Sequence, residues 1–175
     1  MPLRFLTKPD LSLVRAWRNH PFVRLAMFSS KVITEEEHIA WFDSISQDNR
    51  QQWLLHVDVE GRPDGLVYFT EHQRAARHAV WGFYRAPESP AGTGNLLGMD
   101  GLNYAFDVLA LHKLSAEVLA NNSRSLAFHE RLGFVREGLS RDGHFDGEKY
   151  TDVVFLGIMA NEWTSMKRCQ CLHQV

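Results

Sequence analysis

The chain has 175 residues, 45% of them hydrophobic, and a net charge of −2 from 19 Lys and Arg against 21 Asp and Glu, enough apolar side chain for one sizeable core. Without a basic excess, nucleic acid is not an expected partner. No apolar run has the length of a signal-peptide core or a bilayer span, so a cytoplasmic protein with no membrane partner is expected.

Residues 4–6 read as an edge strand and 7–18 as a helix, with Leu11, Val14, Trp17 and Arg18 at helical intervals. The helix stops ahead of Pro21, because the residue before a proline is pushed out of the α region. From 21 to 33 the periodicity fails, which leaves Met27, Phe28 and Ser29 as candidates to line a site. Thr34 and Glu37 have the spacing of a capping box, in which each satisfies the other's orphan N–H. The helix they open runs to about 44, with His38, Trp41, Phe42 and Ile45 on its inner face. Alternation over 53–59 and 66–70, around Gly61, Pro63, Asp64 and Gly65, predicts a hairpin. A third strand follows at 79–84; its aromatics Trp81, Phe83 and Tyr84 read either as core or as the wall of an acyl or sugar site.

Residues 89–95, Ser-Pro-Ala-Gly-Thr-Gly-Asn, join that strand to a helix at 96–109, with Leu97, Tyr104, Ala105 and Val108 on one face. A strand, a glycine loop and a helix N-terminus present backbone N–H groups at the positive end of the helix dipole, which favours phosphate. Gly92 and Gly94 lack the third glycine of a dinucleotide fold, and no Gly-Lys-Ser/Thr follows, so neither a Rossmann fingerprint nor a P-loop is supported. A strand at 113–119, a helix at 123–132 capped by Asn122 and ended by Gly133, and strands at 134–137 and 150–159 complete the order. The pattern predicts one α/β domain over 1–163, its sheet antiparallel early and mixed later, and a polar tail at 164–175. Cys169, Cys171 and His173 fall in that tail with neither a second cysteine pair nor zinc spacing, so no metal is expected.

The glycine loop and the segment after the next strand resemble those of the GCN5-related N-acetyltransferase (GNAT) family. That family's acyl-CoA motif, Gln/Arg-x-x-Gly-x-Gly/Ala at a strand-to-helix turn, is matched by Ser89-Pro-Ala-Gly92-Thr-Gly94, with serine in the first position. Its second segment is an Asn at the end of a strand, a small residue three on, a Tyr seven on, and Glu-Lys/Arg-x-Gly-Phe. Asn122, Ser125 and His129-Glu130-Arg131-Leu132-Gly133-Phe134 match it, with histidine for the tyrosine. The resemblance implies a mixed, mostly antiparallel sheet flanked by helices, splayed between two central parallel strands. It implies acetyl-CoA as co-substrate, held by Phe83, Tyr84, Ala91, Gly92, Thr93, Gly94, Asn95, Asn122, Ser125 and Arg131. It also implies that an amine attacks the thioester, with His129 in the tyrosine's place as a cationic acid for the departing thiolate and Glu117 as general base, directly or through water. The residues alone also allow His129 to be a packed ring and Glu117 a solvated or ion-paired strand residue.

Most of the chain is similar to the GNAT branch that acetylates UDP-4-amino-4,6-dideoxy-N-acetyl-β-L-altrosamine in pseudaminic acid biosynthesis, which feeds flagellin glycosylation. The residues concerned are Arg18-Asn-His-Pro21, Met27-Phe-Ser29, Glu37-His-x-x-x-Phe42, the strand from Trp81 to Pro87, and Glu117-Val-x-x-Asn-Asn122. In that branch the loop after the first helix contributes to the acceptor pocket, which implies Arg18, Met27 and Phe28 as contacts to a small-molecule sugar nucleotide. Arg18 suits a phosphate through its planar fork; on the residues alone it is equally a helix-end arginine at the surface. A monomer and a homodimer both remain open. Two other functions fit the residues: a ribosomal-type protein N-terminal acetyltransferase, and an acyl-CoA-binding module without transfer activity, since Ser89 and His129 depart from the family pattern.

Overall fold

The computed structural model describes residues 2–172, with side chains described to residue 167. The chain divides into two compact units: residues up to His72 with Trp81–Gly101, and Gln73–Val80 with residues from Leu102 on.

In the first unit the elements are β1 (Leu3–Phe5), a 3-10 turn (Lys8–Asp10), α1 (Leu11–Asn19), α2 (Pro21–Arg24), α3 (Glu35–Ile45), β2 (Gln52–Val57), most of β3 (Pro63–Gln73), the later part of β4 (His78–Arg85) and most of α4 (Thr93–Asn103). The helix expected from residue 7 begins as a 3-10 turn. The Thr7 N–H and hydroxyl both donate to Asp10 Oδ2, at 2.9 and 2.6 Å, and the Arg4 fork grips the same carboxylate. Those bonds draw Asp10 down to about 2, with the Arg4 contribution largest. The capping box at α3 forms as expected: Glu37 N–H donates to Thr34 Oγ1 and Thr34 N–H to Glu37 Oε2. β1, β2 and β3 are antiparallel neighbours. The core gathers Leu11, Val14 and Trp17 of α1, Phe42 and Ile45 of α3, and Leu55 and Leu66 of the hairpin. Burying each such side chain stabilises the unit by about 1.5–3 kcal/mol.

In the second unit the first residues of β4 run parallel to β5 (Lys113–Leu119), in register from His78↔Lys113 to Val80↔Ser115. β5 pairs antiparallel with β7 (Tyr150–Met159), and β7 with β6 (Val135–Phe145). α5 (Ser123–Arg131) leads from β5 to β6, and Gly133 follows it at φ +88°, the left-handed stop expected there. With β4 common to both units, the seven strands have the order β1-β2-β3-β4-β5-β7-β6, a mixed and mostly antiparallel sheet.

Two elements differ from the sequence pattern. The helix expected to reach 109 is α-helical only to Asn103 and continues as a π-helical turn, Tyr104–Val108, closed by Leu109 N–H to Tyr104 O at 3.0 Å. The wider turn keeps Tyr104 and Ala105 buried and brings Val108 to the surface, while Lys167 pairs with Asp107 at 3.0 Å. α6 (Ala160–Leu172) runs through the stretch read as a polar tail, anchored by the fully buried Trp163 and capped by Glu162, which accepts from Met159 N–H. The side chains of Cys169 and Cys171, and all of His173, lie outside the described residues. Among the described residues no helix is long and apolar enough to cross a membrane, and no group of three or more His, Cys, Asp or Glu could hold a metal ion.

Candidate active site

The glycine loop lies in the first unit. β4 delivers Phe83 and Tyr84, both half-buried, to its entry. Arg85 then organises the turn: its Nη1 donates to the carbonyl and the hydroxyl of Ser89, each at 3.0 Å, and the Ser89 hydroxyl donates to Ala86 O at 2.7 Å. The serine that departs from the family motif thus closes the loop locally. Gly92 has φ +95°, a conformation strained for any residue with a Cβ, and its carbonyl accepts from Asn95 N–H at 2.9 Å. A Cβ built on Gly92 or on Gly94 would meet nothing within 4 Å. The turn is therefore open on that side, with Ala91, Gly92 and Asn95 exposed, Gly94 half-buried and Thr93 buried at the start of α4.

The acceptor candidates lie in the same unit. Arg18 is half-buried in the last turn of α1. Its Nη2 donates to Ser29 O at 2.8 Å, while its Nη1 is buried with no hydrogen-bond partner among the described residues. Burial lowers its titration below the ordinary guanidinium value, opposed by the nearby Tyr84 and Tyr68, and it stays a cation at neutral pH. Arg24 donates to Ser30 O at 2.5 Å, and Asn19 both donates to and accepts from Ile33, at 2.8 Å each way. These bonds hold the aperiodic loop after α2, with Met27 half-buried and Phe28 exposed on it. From Arg18 to Ile33 the chain carries Arg18, Arg24 and Lys31 and no acidic residue. The sequence reading missed Arg24 and Arg85; the available signal was two further arginines flanking stretches without periodicity.

The second unit holds the remaining candidates. Asn122 Oδ1 accepts Ser125 N–H at 3.0 Å, the N-cap expected of α5. His129, one turn on, is buried, with the edges of Phe134 and Phe128 against it at 5.0 and 6.0 Å between ring centres. Its Nδ1 lies 2.8 Å from Ser125 O. A carbonyl only accepts, so the ring proton resides on Nδ1. Burial lowers His129 below the ordinary imidazole value, more than the Ser125 bond raises it. The cation expected at rest is thereby corrected, though not the acid role itself: the resting ring is neutral at neutral pH and Nε2 bears the lone pair, because desolvation among phenyl rings opposes the charge. Glu117 is exposed on β5, opposite Phe155 in register. Arg131 is exposed, with its guanidinium 5.8 Å from the centre of the Phe128 ring, and Ser125 is half-buried.

A strand-loop-helix turn with open glycines suits a phosphate, and the chain carries it in a mixed sheet with a parallel β4–β5 pair, the arrangement of an acyl-CoA-dependent transferase class. Residues 1–135 match the model of the acetyltransferase (GNAT) domain, and the chain belongs to that family. It is an acetyl-CoA-dependent acetyltransferase. The crystal structure of spermidine N-acetyltransferase from Vibrio cholerae in complex with CoA and spermine superposes with a TM-score of 0.85 at 26% identity, over 93% of this chain and 96% of that one. The acetyltransferase PseH of Campylobacter jejuni is 27% identical over 74% of this chain and 80% of its own. A putative ribosomal N-acetyltransferase of Bacillus subtilis, YdaF, is 33% identical over 71% and 72%.

Proposed function

We propose that this enzyme moves the acetyl group of acetyl-CoA to the 4-amino group of UDP-4-amino-4,6-dideoxy-N-acetyl-β-L-altrosamine, in pseudaminic acid biosynthesis for flagellin glycosylation. One observation carries the choice of acceptor: the buried, unpaired Nη1 of Arg18 in a segment with no acidic residue from Arg18 to Ile33. A guanidinium nitrogen that has lost water and gained no partner is costly unless a ligand completes it, and a diphosphate supplies the acceptor oxygens. A polyamine needs carboxylates instead. Of the next three acids along the chain, Glu35 pairs with Arg15 at 3.4 Å and Glu37 with Thr34 and Lys31, while Glu36 is exposed. A ribosomal-protein N-terminal amine is the second reading, favoured by the 33% identity to the Bacillus relative.

In the proposed reaction the neutral amine attacks the thioester carbonyl carbon, a C–N bond forms and the C–S bond breaks. Nε2 of His129 takes the amine proton and the imidazolium so formed returns it to the departing thiolate, with Glu117 as the alternative first acceptor through water. Backbone N–H groups at residues 91–95 hold the pyrophosphate, and Phe83, Tyr84, Asn122, Ser125 and Arg131 complete the binding of acetyl-CoA. Arg18, Met27 and Phe28 receive the acceptor.

Release of free thiol from acetyl-CoA, measured with the UDP-4-amino sugar, spermine and a ribosomal-protein N-terminal peptide in parallel, tests the proposal. Turnover with the sugar nucleotide is expected, and in Arg18→Lys a rise of about tenfold in its KM with that for acetyl-CoA unchanged. Turnover with spermine or the peptide alone, or with none of the three, overturns the acceptor.

A further inference from the structure

His56, on β2 in the first unit, is 3% exposed, and both of its ring nitrogens face carboxylates. Nδ1 lies 2.5 Å from Oδ1 of Asp64 on β3, and Nε2 lies 3.1 Å from Oδ2 of Asp100 on α4. An ionised carboxylate accepts and does not donate, so the ring supplies an N–H on each side as an imidazolium. Burial works against that charge, but the hydrogen bonds to Asp100 and Asp64 outweigh it and hold His56 above the ordinary imidazole value. These two carboxylates are the charged groups that act on it.

The same short stretch of β3 meets both flanks of the glycine loop. At the entry, Asp64 O accepts Ala86 N–H at 2.8 Å, just past the end of β4. At the exit, Gly65 packs so close to α4 that a Cβ on it would stand 2.8 Å from Leu97 Cδ2 and 3.3 Å from Tyr84 O. Leu97 and Asp100 are three residues apart, on one face of α4. Residues 64–65 therefore touch the loop where it begins and the helix into which it runs, and the ionic member of that set of tethers passes through His56.

We propose that His56 is a positioning residue: its bridge from Asp64 to Asp100 fixes α4, and with it the Gly92 to Gly94 turn, in the geometry that receives the pyrophosphate of acetyl-CoA. The proposal rests on the assignment of acetyl-CoA to the glycine loop. A ring that has lost its second proton has one N–H for two carboxylates. Asp100, with 28% side-chain exposure against 13% for Asp64, is the partner that can turn to water. The ionic tether on α4 then opens, and acetyl-CoA affinity falls as pH rises.

The experiment measures the acetyl-CoA dissociation constant by titration calorimetry from pH 6.5 to 9.5 for the wild type, Asp100→Asn and Gly92→Val, with thermal midpoints on the same samples. In the wild type affinity is expected to weaken roughly tenfold as His56 deprotonates, the scale of a small displacement of binding groups. Asp100→Asn keeps an oxygen that accepts from Nε2 but lacks the charge, so the fall moves to lower pH. KM for acetyl-CoA follows the dissociation constant, while kcat at saturating acetyl-CoA does not change. A dissociation constant that ignores pH, or that varies identically in wild type and Asp100→Asn, overturns the proposal even where the thermal midpoints shift, and makes the bridge purely structural. Gly92→Val separates the two assignments. Lost binding there alongside a flat pH profile removes His56 alone, whereas retained binding removes the glycine loop as the acetyl-CoA site and the proposal with it.

Discussion

Two histidines, one in each unit, are buried to nearly the same degree and held in opposite charge states. His56 and His129 are 3% and 4% exposed. Burial pushes both toward the neutral ring. At His56 two carboxylates reverse that push; at His129 the Ser125 carbonyl and the phenyl edges do not. The partners outweigh burial at His56, and at His129 they do not. The consequence for stability has opposite signs. The raised value of His56 gives a contribution fully present below the unfolded value near 6.5 and lost as pH rises through its folded value. The depressed value of His129 gives one present above 6.5 and lost as pH falls through its folded value.

The sharpest break of this comparison is His56→Phe set against His129→Phe. Removing the cation leaves Asp64 and Asp100 facing an apolar ring, at a cost of about 3–5 kcal/mol at pH 7. His129→Phe gives up the Ser125 carbonyl hydrogen bond in surroundings already aromatic and costs about 1–2 kcal/mol. Denaturant melts of both variants decide the matter, and equal losses would mean that the His56 bridge carries no special charge. The next effect is on turnover. With His129 neutral and accepting at Nε2, kcat at saturating acetyl-CoA has an acid limb below the ordinary imidazole range and is flat through neutral pH. His129→Phe lowers kcat by about 100-fold and abolishes that limb, with acetyl-CoA affinity little changed. A rate that instead falls as pH rises through the His129 titration would restore the cationic acid.

A third measurement follows stability against pH. Above about 6.5, up to its folded value, the wild type loses up to about 1.4 kcal/mol per pH unit through His56, and His56→Phe does not. Below 6.5 the slope attributable to His129 disappears in His129→Phe, well before Asp10, held down to about 2, contributes. A wild-type profile level on both sides would show that neither ring's charge is set by its surroundings.

What the sequence showed and what it hid divide along the same line. Local grammar was legible: the capping box at Thr34 and Glu37, the Asn122 cap, the left-handed Gly133 and the bounds of β5 all depend on residues within a few positions of each other. The bridge at His56 was not, because Asp100 lies 44 residues along the chain and on a helix. His56 itself reads as one more member of an alternating strand. The neutral state of His129 was hidden for the same reason, since its desolvation comes partly from Phe134, beyond the end of α5. α6 escaped notice because, among its described side chains, Trp163 alone is fully buried, and a polar helix with so few anchors leaves no period to read. Among the site residues, the open glycine turn was visible as composition, whereas the orphan nitrogen of Arg18 required the fold.

The smallest expected effect tests which atom holds the His129 tautomer. Two oxygens of Ser125 lie near Nδ1: the backbone carbonyl at 2.8 Å and the hydroxyl at 3.4 Å. The carbonyl is at ordinary hydrogen-bond distance and can only accept, whereas the hydroxyl is at the outer limit and can serve in either sense. Ser125→Ala removes the hydroxyl and leaves the carbonyl, the α5 backbone and the Ser125 N–H bond to Asn122 in place. Stability is therefore expected to change by no more than about 0.5 kcal/mol. The imidazole carbon proton of His129, followed by NMR against pH, should titrate where it does in the wild type. A titration that moves upward in Ser125→Ala, toward that of an exposed imidazole, would mean that the hydroxyl had been fixing the neutral ring. The contrast with His56 would then rest on a side chain that substitution can remove, not on a backbone group that it cannot.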